Sequence, residues 1–447
     1  MIPYINMLKL GKEPLNLIKY KSPYAFFCAD SVVMLKNGAL LTTYEVNYPD
    51  LESSSAPQIA SMSALINRTV MSLAQEEGWS IHFDVKRKIT RNYPAGDYDN
   101  LCGWLIDQKR AENFEKFGEH YTSAYYINFI YQLPGDIQDK TTSLFFKDNK
   151  SKKSKSITTK SLPNVQKEID DFIDETEKIM GSLTSKIWVE HLSSSKLFSY
   201  IKSCTSLIEQ DMILPDDCFF FLDNFIFDQD VKTSIPLKVG EYYVHVMTIN
   251  TFPSHTYPAI FDQLNRMQCE YRWSTRFLPL TKEESLKKAK KYQDRFFSSR
   301  KSGLTLFTEM AADVTIDKEN ASAVEFEAQA NSIQADINMG DYLLGYYTSN
   351  LMVWDKKLEV AKEKSRKLQQ VVRSCGFSVK EETFNNVQAW LGMMPGNVYA
   401  NIRRPLISTK NFSNIIPLSS AWQGMLYNDF TEETCGSSVP LCTCSTS

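Results

Sequence analysis

Leu343-Leu-Gly-Tyr-Tyr-Thr-Ser-Asn-Leu-Met-Val353, then Asp355 to Gly376, then Phe377-Ser-Val-Lys-Glu-Glu382, is the stretch that decides the fold. The first run is rich in β-branched, aromatic and aliphatic residues and predicts a strand. Between Asp355 and Gly376 the apolar residues Leu358, Ala361, Leu368, Val371 and Val372 recur at helical spacing. Gly376 suits the left-handed residue just past a helix end, and Phe377–Glu382 reads as a returning strand. Strand, helix and returning strand make a layered α/β unit rather than a bundle or a sandwich of sheets.

Upstream, Tyr242-Tyr-Val-His-Val-Met247 is strand-like, a short helix is predicted near Pro258–Arg266, and a strand near Glu270–Leu278. Thr281 with Glu284 forms a capping box that opens a long basic helix to about Arg300. The resulting alternation suggests a ferredoxin-like or related sheet. A comparable series lies nearer the start. Ser31-Val-Val-Met-Leu35 and Ala39-Leu-Leu-Thr-Thr-Tyr44 flank Asn37-Gly38, a strong hairpin signal. Ile59, Met62, Ile66, Val70 and Leu73 mark a helix ended by Gly78. Trp79, Ile81, Phe83 and Val85 alternate with Ser80, His82, Asp84 and Lys86, which predicts a half-buried strand. A helix near Asp107–Phe117 and a strand near Tyr125–Leu133 follow, and no repeat of short period is evident.

The expected class is α+β: two ferredoxin-like or related α/β sandwich subdomains joined by a helical segment. The expected division is an N-terminal α+β domain over 1–140, a Lys/Ser-rich linker over 141–162, a helical connection over 163–235, a central α+β domain over 236–430 and a mobile tail over 431–447. At 447 residues the chain is too long for one ordinary core. A net charge of −3 argues against a globally basic nucleic-acid binder. Lys147–Lys160 holds six lysines and five Ser/Thr residues without an aromatic. A solvated loop is the favoured reading there, over attraction to anionic lipid or nucleic acid. Six of the nine cysteines are scattered singly among apolar residues, as free thiols in a reducing compartment are. No secretory or membrane-spanning apolar run is expected.

The search for chemistry is mostly negative. A phosphate-binding loop needs glycines that let backbone N–H groups close on phosphate, a Lys for its oxygens and a Ser/Thr for the metal. No Gly-x-x-x-x-Gly-Lys-Ser/Thr occurs in the sequence. Asp223, after Phe219-Phe-Phe-Leu222, imitates a metal-holding strand end but is read as capping a turn. The five histidines lie far apart in sequence, and His82 and His245 fall in strand patterns as ordinary half-exposed positions. Cys435, Cys442 and Cys444 lack zinc spacing. No catalytic, cofactor-binding or metal-ligating residue is therefore nominated. Tyr271-Arg272-Trp273-Ser274-Thr275-Arg276-Phe277 combines charge and rings. It reads either as interface anchors or as a strand with Trp273 in the core and the arginines on its outer face.

Several segments together resemble the TrbE branch of the TrbE/CagE/VirB family of conjugation and type IV secretion ATPases. They are Pro49-Asp50-Leu51-Glu52-Ser53-Ser54, Gly78-Trp79-Ser80-Ile81-His82, and Ile106–Arg110 with Phe114, Gly118 and His120. Tyr257-Pro258, Leu264 and Tyr271–Phe277 match the middle. Ala389-Trp390-Leu391-Gly392-Met-Met-Pro395-Gly396-Asn397, Asn401-Ile-Arg403-Arg404-Pro405 and Pro417–Trp422 with Gly424 match the end. The resemblance runs from about residue 20 to 430.

In that family these segments precede a RecA-like motor domain, which binds ATP and Mg and is not found in this sequence. The resemblance therefore implies a part that docks the motor onto the inner-membrane transport complex, for pilus assembly and transfer of DNA or protein. The implied chain has no ATPase activity alone, needs no cofactor of its own and sits peripherally on the cytoplasmic face of the inner membrane. Its implied partners are small inner-membrane subunits, copies of itself and a missing or separate motor domain. Interface or family-motif residues on this reading are Arg110, Arg272, Trp273, Arg276, Trp390, Pro395, Gly396, Asn397, Arg403 and Arg404. The alternative is a nucleic-acid-binding adaptor using the basic linker and the Arg/Trp cluster, although no direct nucleic-acid contact is expected.

Overall fold

The computed structural model describes residues 21–49, 54–90, 93, 98, 100–134, 162–215, 220–253, 255–299, 333–400, 403–420, 427–428 and 433–434. The stretch Met1–Tyr20, the Lys147–Lys160 run, Cys218, Asn401–Ile402, Trp422, Gly424 and nearly all of the 431–447 tail lie outside them.

A hairpin, β1 (Tyr24–Ala29) and β2 (Val32–Leu35), leads through Asn37-Gly38 into β3 (Ala39–Asn47). Gly38 has φ +78°, the left-handed conformation this turn demands. Helix α1 (Ala56–Leu73) follows, with the side chain of Gln58 reaching back to the Ser55 backbone N–H. Next come β4 (Trp79–Thr90), α2 (Leu101–Phe117) and β5 (His120–Gln132). Helix α3 (Leu162–Leu183) buries Val165, Ile169, Phe172, Ile179, Met180 and Leu183, one stripe at helical spacing, and β6 (Trp188–His191) closes the series.

All pairings among these strands are antiparallel, and their order is β6-β3-β5-β4. Because β3 and β4 both run opposite to β5, they are parallel to each other, with α1 crossing between them and β5 inserted in the gap. This is a βαββαβ unit built on split βαβ crossings.

The second half repeats the plan. Helices α4 (Ser194–Thr205) and α5 (Asp223–Ile226) and the short strands β7 (Val231–Lys232) and β8 (Leu237–Val239) lead into β9 (Tyr242–Thr251). A 3-10 helix (Asp262–Arg266), β10 (Tyr271–Pro279), α6 (Lys282–Ser299), β11 (Leu344–Asp355), α7 (Leu358–Ser374) and β12 (Ser378–Glu381) complete it. The strand order is β12-β9-β11-β10, again antiparallel throughout. In each unit a helix is inserted between the second and third strands, α2 in one and α6 in the other. After α8 (Asn386–Leu391), β13 (Leu406–Ser408) adds to β11, and α9 (Thr409–Ile415) packs on α1.

The two units share one sheet. β4 pairs antiparallel with β10 from Tyr271 opposite Arg87 to Phe277 opposite Ile81. Part of the stretch read as a helical connection therefore belongs to the first unit: α3 covers its sheet, and β6 pairs with β3 from Tyr44 opposite His191 to Asn47 opposite Trp188. Local periodicity marks helices and strands but carries no record of which strand edge receives them.

Both faces of the central strands are covered. Against one face, α1, α3, α7 and α9 pack on Tyr44, Phe83, Phe129, Trp273 and Leu351. Against the other, α4 and α8 pack on Leu41, Ile130, Val246 and Met352. The strand predicted to be half-buried, β4, is buried on both sides over Trp79–Arg87. Among the described residues no helix is long and apolar enough to cross a membrane.

Candidate functional site

Alternation along β10 sends Tyr271, Trp273, Thr275 and Phe277 to one face and Arg272, Ser274 and Arg276 to the other. Trp273 enters the core, donating from Nε1 to the Ser349 hydroxyl at 2.8 Å and meeting Phe261 edge to face. The arginines are not exposed: α4 and the segment Ala389–Arg404 cover their face, leaving both essentially without solvent contact. Register then decides their neighbours. Arg276 lies opposite His82 on β4 and Thr348 on β11, and Ser274 lies opposite Asp84 and Asn350.

A buried polar network results. Arg272 Nε donates to both oxygens of Asp84, at 2.9 and 3.1 Å, while its terminal nitrogens donate to the Cys204 carbonyl at 3.0 Å and the Met393 carbonyl at 2.6 Å. Burial works against the guanidinium charge, but Asp84 first, then Cys204 and Tyr200, together outweigh it and raise the Arg272 pKa above its usual value. Tyr200 on α4 donates to Asp84 at 3.0 Å and accepts from Asn128 at 3.0 Å, and Thr43 donates to Asn128 at 2.8 Å. Lys86 sits 4.4 Å from the centre of the Tyr200 ring and donates to the Ser203 hydroxyl. Burial is the main cause that lowers its pKa.

Arg276 donates to the carbonyls of Asn397 at 2.6 Å and Ala400 at 3.3 Å, and to the Thr348 hydroxyl at 3.1 Å. Burial, then the nearby Arg404, disfavour its charged form. Asn350 donates to the Ala389 carbonyl at 3.1 Å and Thr348 to the Arg403 carbonyl at 3.0 Å. Arg403 pairs with the buried Glu382 at 2.6 Å, and Arg404 donates to the Val398 carbonyl at 2.6 Å. Gly396, at φ +83°, presses on the first hairpin: a Cβ there would lie 2.6 Å from Leu35 Cδ1. Asn397 caps this loop through Oδ1, which accepts from the Ala400 N–H at 3.2 Å. Pro395 is buried in it, and Trp390 is fully buried beside Phe227.

Thus the structure brings Arg272, Arg276, Trp390, Pro395, Gly396, Asn397, Arg403 and Arg404 into one clasp that ties segment 389–404 to the sheet. Trp273 lies on the opposite face. Arg110, half-buried on α2, makes no hydrogen bond to the clasp among those found in the described residues. The burial removes Arg272, Trp273 and Arg276 from any surface where nucleic acid could reach them.

Residue-by-residue reading of the sequence misses Asp84, His82, Asn128, Tyr200 and Glu382. For His82 and Asp84 the local signal is the polar phase of β4, which by itself reads as a solvated face. His82 is instead completely buried, with neither ring nitrogen hydrogen-bonded to protein. Burial first, then Arg276 and Arg272, hold its pKa well below the usual value. His245 is also buried and pairs with Glu381 at 2.5 Å. Asp223, in the first turn of α5, pairs with Lys36 at 2.8 Å.

Among the described residues no group of three His, Cys, Asp or Glu side chains is placed to hold a metal. An open pocket of about 700 Å³ lies between the end of α1 and the start of α6, with Arg68, Glu77, Lys282 and Glu283 on its walls. Its mixed charges do not converge on one ligand chemistry.

Residues 31–138 match a family model described as the N-terminal domain of the type IV secretion system ATPase VirB4/TrbE. Residues 211–334 and 316–403 match one described as the CagE, TrbE, VirB family, component of the type IV transporter system. The chain is similar to the conjugal transfer protein TrbE of Rhizobium radiobacter, 25% identical over 90% of this chain and 49% of the relative. It is 31% identical to the second of two pieces of a probable conjugal transfer protein TrbE of Sinorhizobium fredii, over 51% of this chain and 34% of the relative. The type IV secretion system protein virB4 of Bartonella quintana is 18% identical over 89% of this chain and 48% of the relative. The chain thus spans about half the length of the Rhizobium TrbE and Bartonella virB4 relatives.

Proposed function

Because the chain belongs to the CagE/TrbE/VirB family of type IV transporter components, we propose that it forms the N-terminal and central, non-motor part of a conjugal-transfer ATPase. Its role on this reading is to dock the motor onto the inner-membrane transport complex. The observation that carries the proposal is the match of residues 31–138 to the N-terminal domain of such an ATPase, in a sequence without a phosphate-binding loop.

The architecture suits the role. Two βαββαβ units, which we regard as ferredoxin-like, are fused through β4 and β10, and the arginine clasp holds segment 389–404 rigidly on their common sheet. Such a body can transmit force between a motor on one side and membrane subunits on another without deforming. ATP and Mg²⁺ belong, on this reading, to a RecA-like motor, and the assembly works at the cytoplasmic face of the inner membrane in pilus assembly and transfer of DNA or protein.

The first test is ATP binding and turnover by the purified chain. No saturable binding and no hydrolysis are expected. Co-purification with membrane subunits of the transport complex is expected when they are co-expressed. Turnover by the chain alone would overturn the proposal.

A further inference from the structure

Arg276 and Arg404 converge on the same four-residue turn. Arg276 donates to the carbonyls of Asn397 at 2.6 Å and Ala400 at 3.3 Å. Arg404 donates to those of Val398 at 2.6 Å and Tyr399 at 3.4 Å. Each guanidinium has a donor left over. The Nε–H of Arg276 and the Nε–H of Arg404 are both buried, and neither meets an acceptor among the described residues. His82, opposite Arg276 in the β4–β10 register, adds two buried ring nitrogens that also lack a hydrogen bond there.

Charge is as unbalanced at this turn as hydrogen bonding. Asp84 is committed to Arg272, and Glu382 to Arg403. Among the described residues no carboxylate forms an ion pair with Arg276 or Arg404. The two guanidinia are close enough that Arg404, after burial, is what disfavours the charged form of Arg276. A cation held out of water needs a counter-charge as well as acceptors, and carbonyl oxygens supply only the acceptors. A bridging water would accept from both Nε–H groups but would bring no charge. A monatomic anion accepts from donors in any direction, offsets the repulsion between the guanidinia, and is the smallest species that does both. Arg404 is only half-buried, which gives such an ion a route from solvent.

We propose that a halide ion, chloride in the cell, binds between Arg276 and Arg404, accepts from both Nε–H groups and locks the turn 397–400 onto the sheet. Either tautomer of the neutral His82 offers one N–H as a further donor beside Arg276. The site is independent of the docking function, since it concerns how the clasp is held and not what the clasp serves.

The experiment is urea unfolding of the full chain at constant ionic strength, with sodium gluconate replaced stepwise by sodium chloride. Stability should rise along a saturating curve. At about ten times the chloride Kd, the folding equilibrium constant should be about elevenfold higher than without chloride. Bromide should act as chloride does. Arg404→Gln keeps a polar side chain at a half-buried position but removes the charge and the Nε–H, and it should abolish the rise. Arg110→Gln, on α2, removes a charge elsewhere and should retain it. General effects of gluconate are common to all three proteins, so the difference between native and Arg404→Gln is the readout. Should Arg404→Gln not fold, anomalous scattering from bromide in crystals of the native chain decides, and a peak between the two guanidinia is expected. The same chloride response in native and Arg404→Gln would mean that the two Nε–H groups are packed dry or hold water, and would overturn the proposal. Bromide bound only elsewhere would overturn it too.

Discussion

Replacing Asp84 by Asn removes the only carboxylate found hydrogen-bonded to Arg272 in the described structure, and nearly preserves its volume. Both side chains have no more than 2% of their surface in water. In the variant the guanidinium retains the Cys204 and Met393 carbonyls as acceptors but loses its counter-charge, and the Asn amide meets a cation where a carboxylate stood. Breaking one partner of a buried pair leaves an uncompensated charge and costs about 3–5 kcal/mol. The Tyr200 hydroxyl also donates to this carboxylate, which favours the upper half of that range. Equilibrium urea unfolding measures the loss. The companion variant, Asp84→Leu with Arg272→Met, removes both charges together. It should cost less than the sum of the single substitutions, because desolvation of the pair is then no longer required. A cost below about 1 kcal/mol for Asp84→Asn would mean that water reaches the pair, since that is the range of exposed ion pairs. Additivity in the double variant would mean that the two residues do not interact. Either result would refute the clasp as described.

Three further outcomes follow from the same network. His82 is held neutral in the folded protein, so its folded pKa lies below the unfolded value of about 6.5. The unfolded chain therefore takes up this proton first: the stability His82 preserves is complete above about pH 6.5 and falls by up to ~1.4 kcal/mol per unit below it. Urea melts of His82→Leu across this range should show a shallower acid slope than the native chain, and equal slopes would place the imidazole in water. Gly396→Ala should destabilise by about 1–3 kcal/mol, from left-handed strain and displacement of Leu35, and a neutral effect in thermal melts would contradict the φ of +83°. Arg276→Lys keeps the charge but loses the fork that reaches Asn397, Ala400 and Thr348 together. Hydrogen exchange should speed up over 396–404 and stay unchanged over α1; uniform protection would show that Arg276 does not hold the loop.

Much of the fold is legible in the chain because its signals are local. Asn37-Gly38 gives a hairpin, since both residues tolerate positive φ. Val165, Ile169, Phe172 and Ile179 lie on one side of α3 because 3.6 residues make a turn. Thr281 and Glu284 cap α6 through reciprocal bonds of 3.3 Å. The motif Tyr271–Phe277 stands out as a mixture of rings and arginines, and alternation separates Trp273 from Arg272 and Arg276. What that alternation cannot supply is the environment of each face. A polar phase along a strand looks the same whether water or a second layer covers it, so His82 and Asp84 pass for surface residues.

By itself, then, the sequence determined the longer helices and strands of each half and their amphipathic phases, but not short strands such as β6, because backbone geometry converts spacing into direction only over several residues. The tertiary structure alone decided that β4 meets β10, that helices cover both sheet faces, and that Asp84 neutralises Arg272 across 188 residues. Strand edges carry the same backbone donors and acceptors whatever their side chains, so pairing is chosen by the combined packing of distant segments. A buried charge likewise finds its counter-charge only when that packing has excluded the water that would otherwise have solvated both.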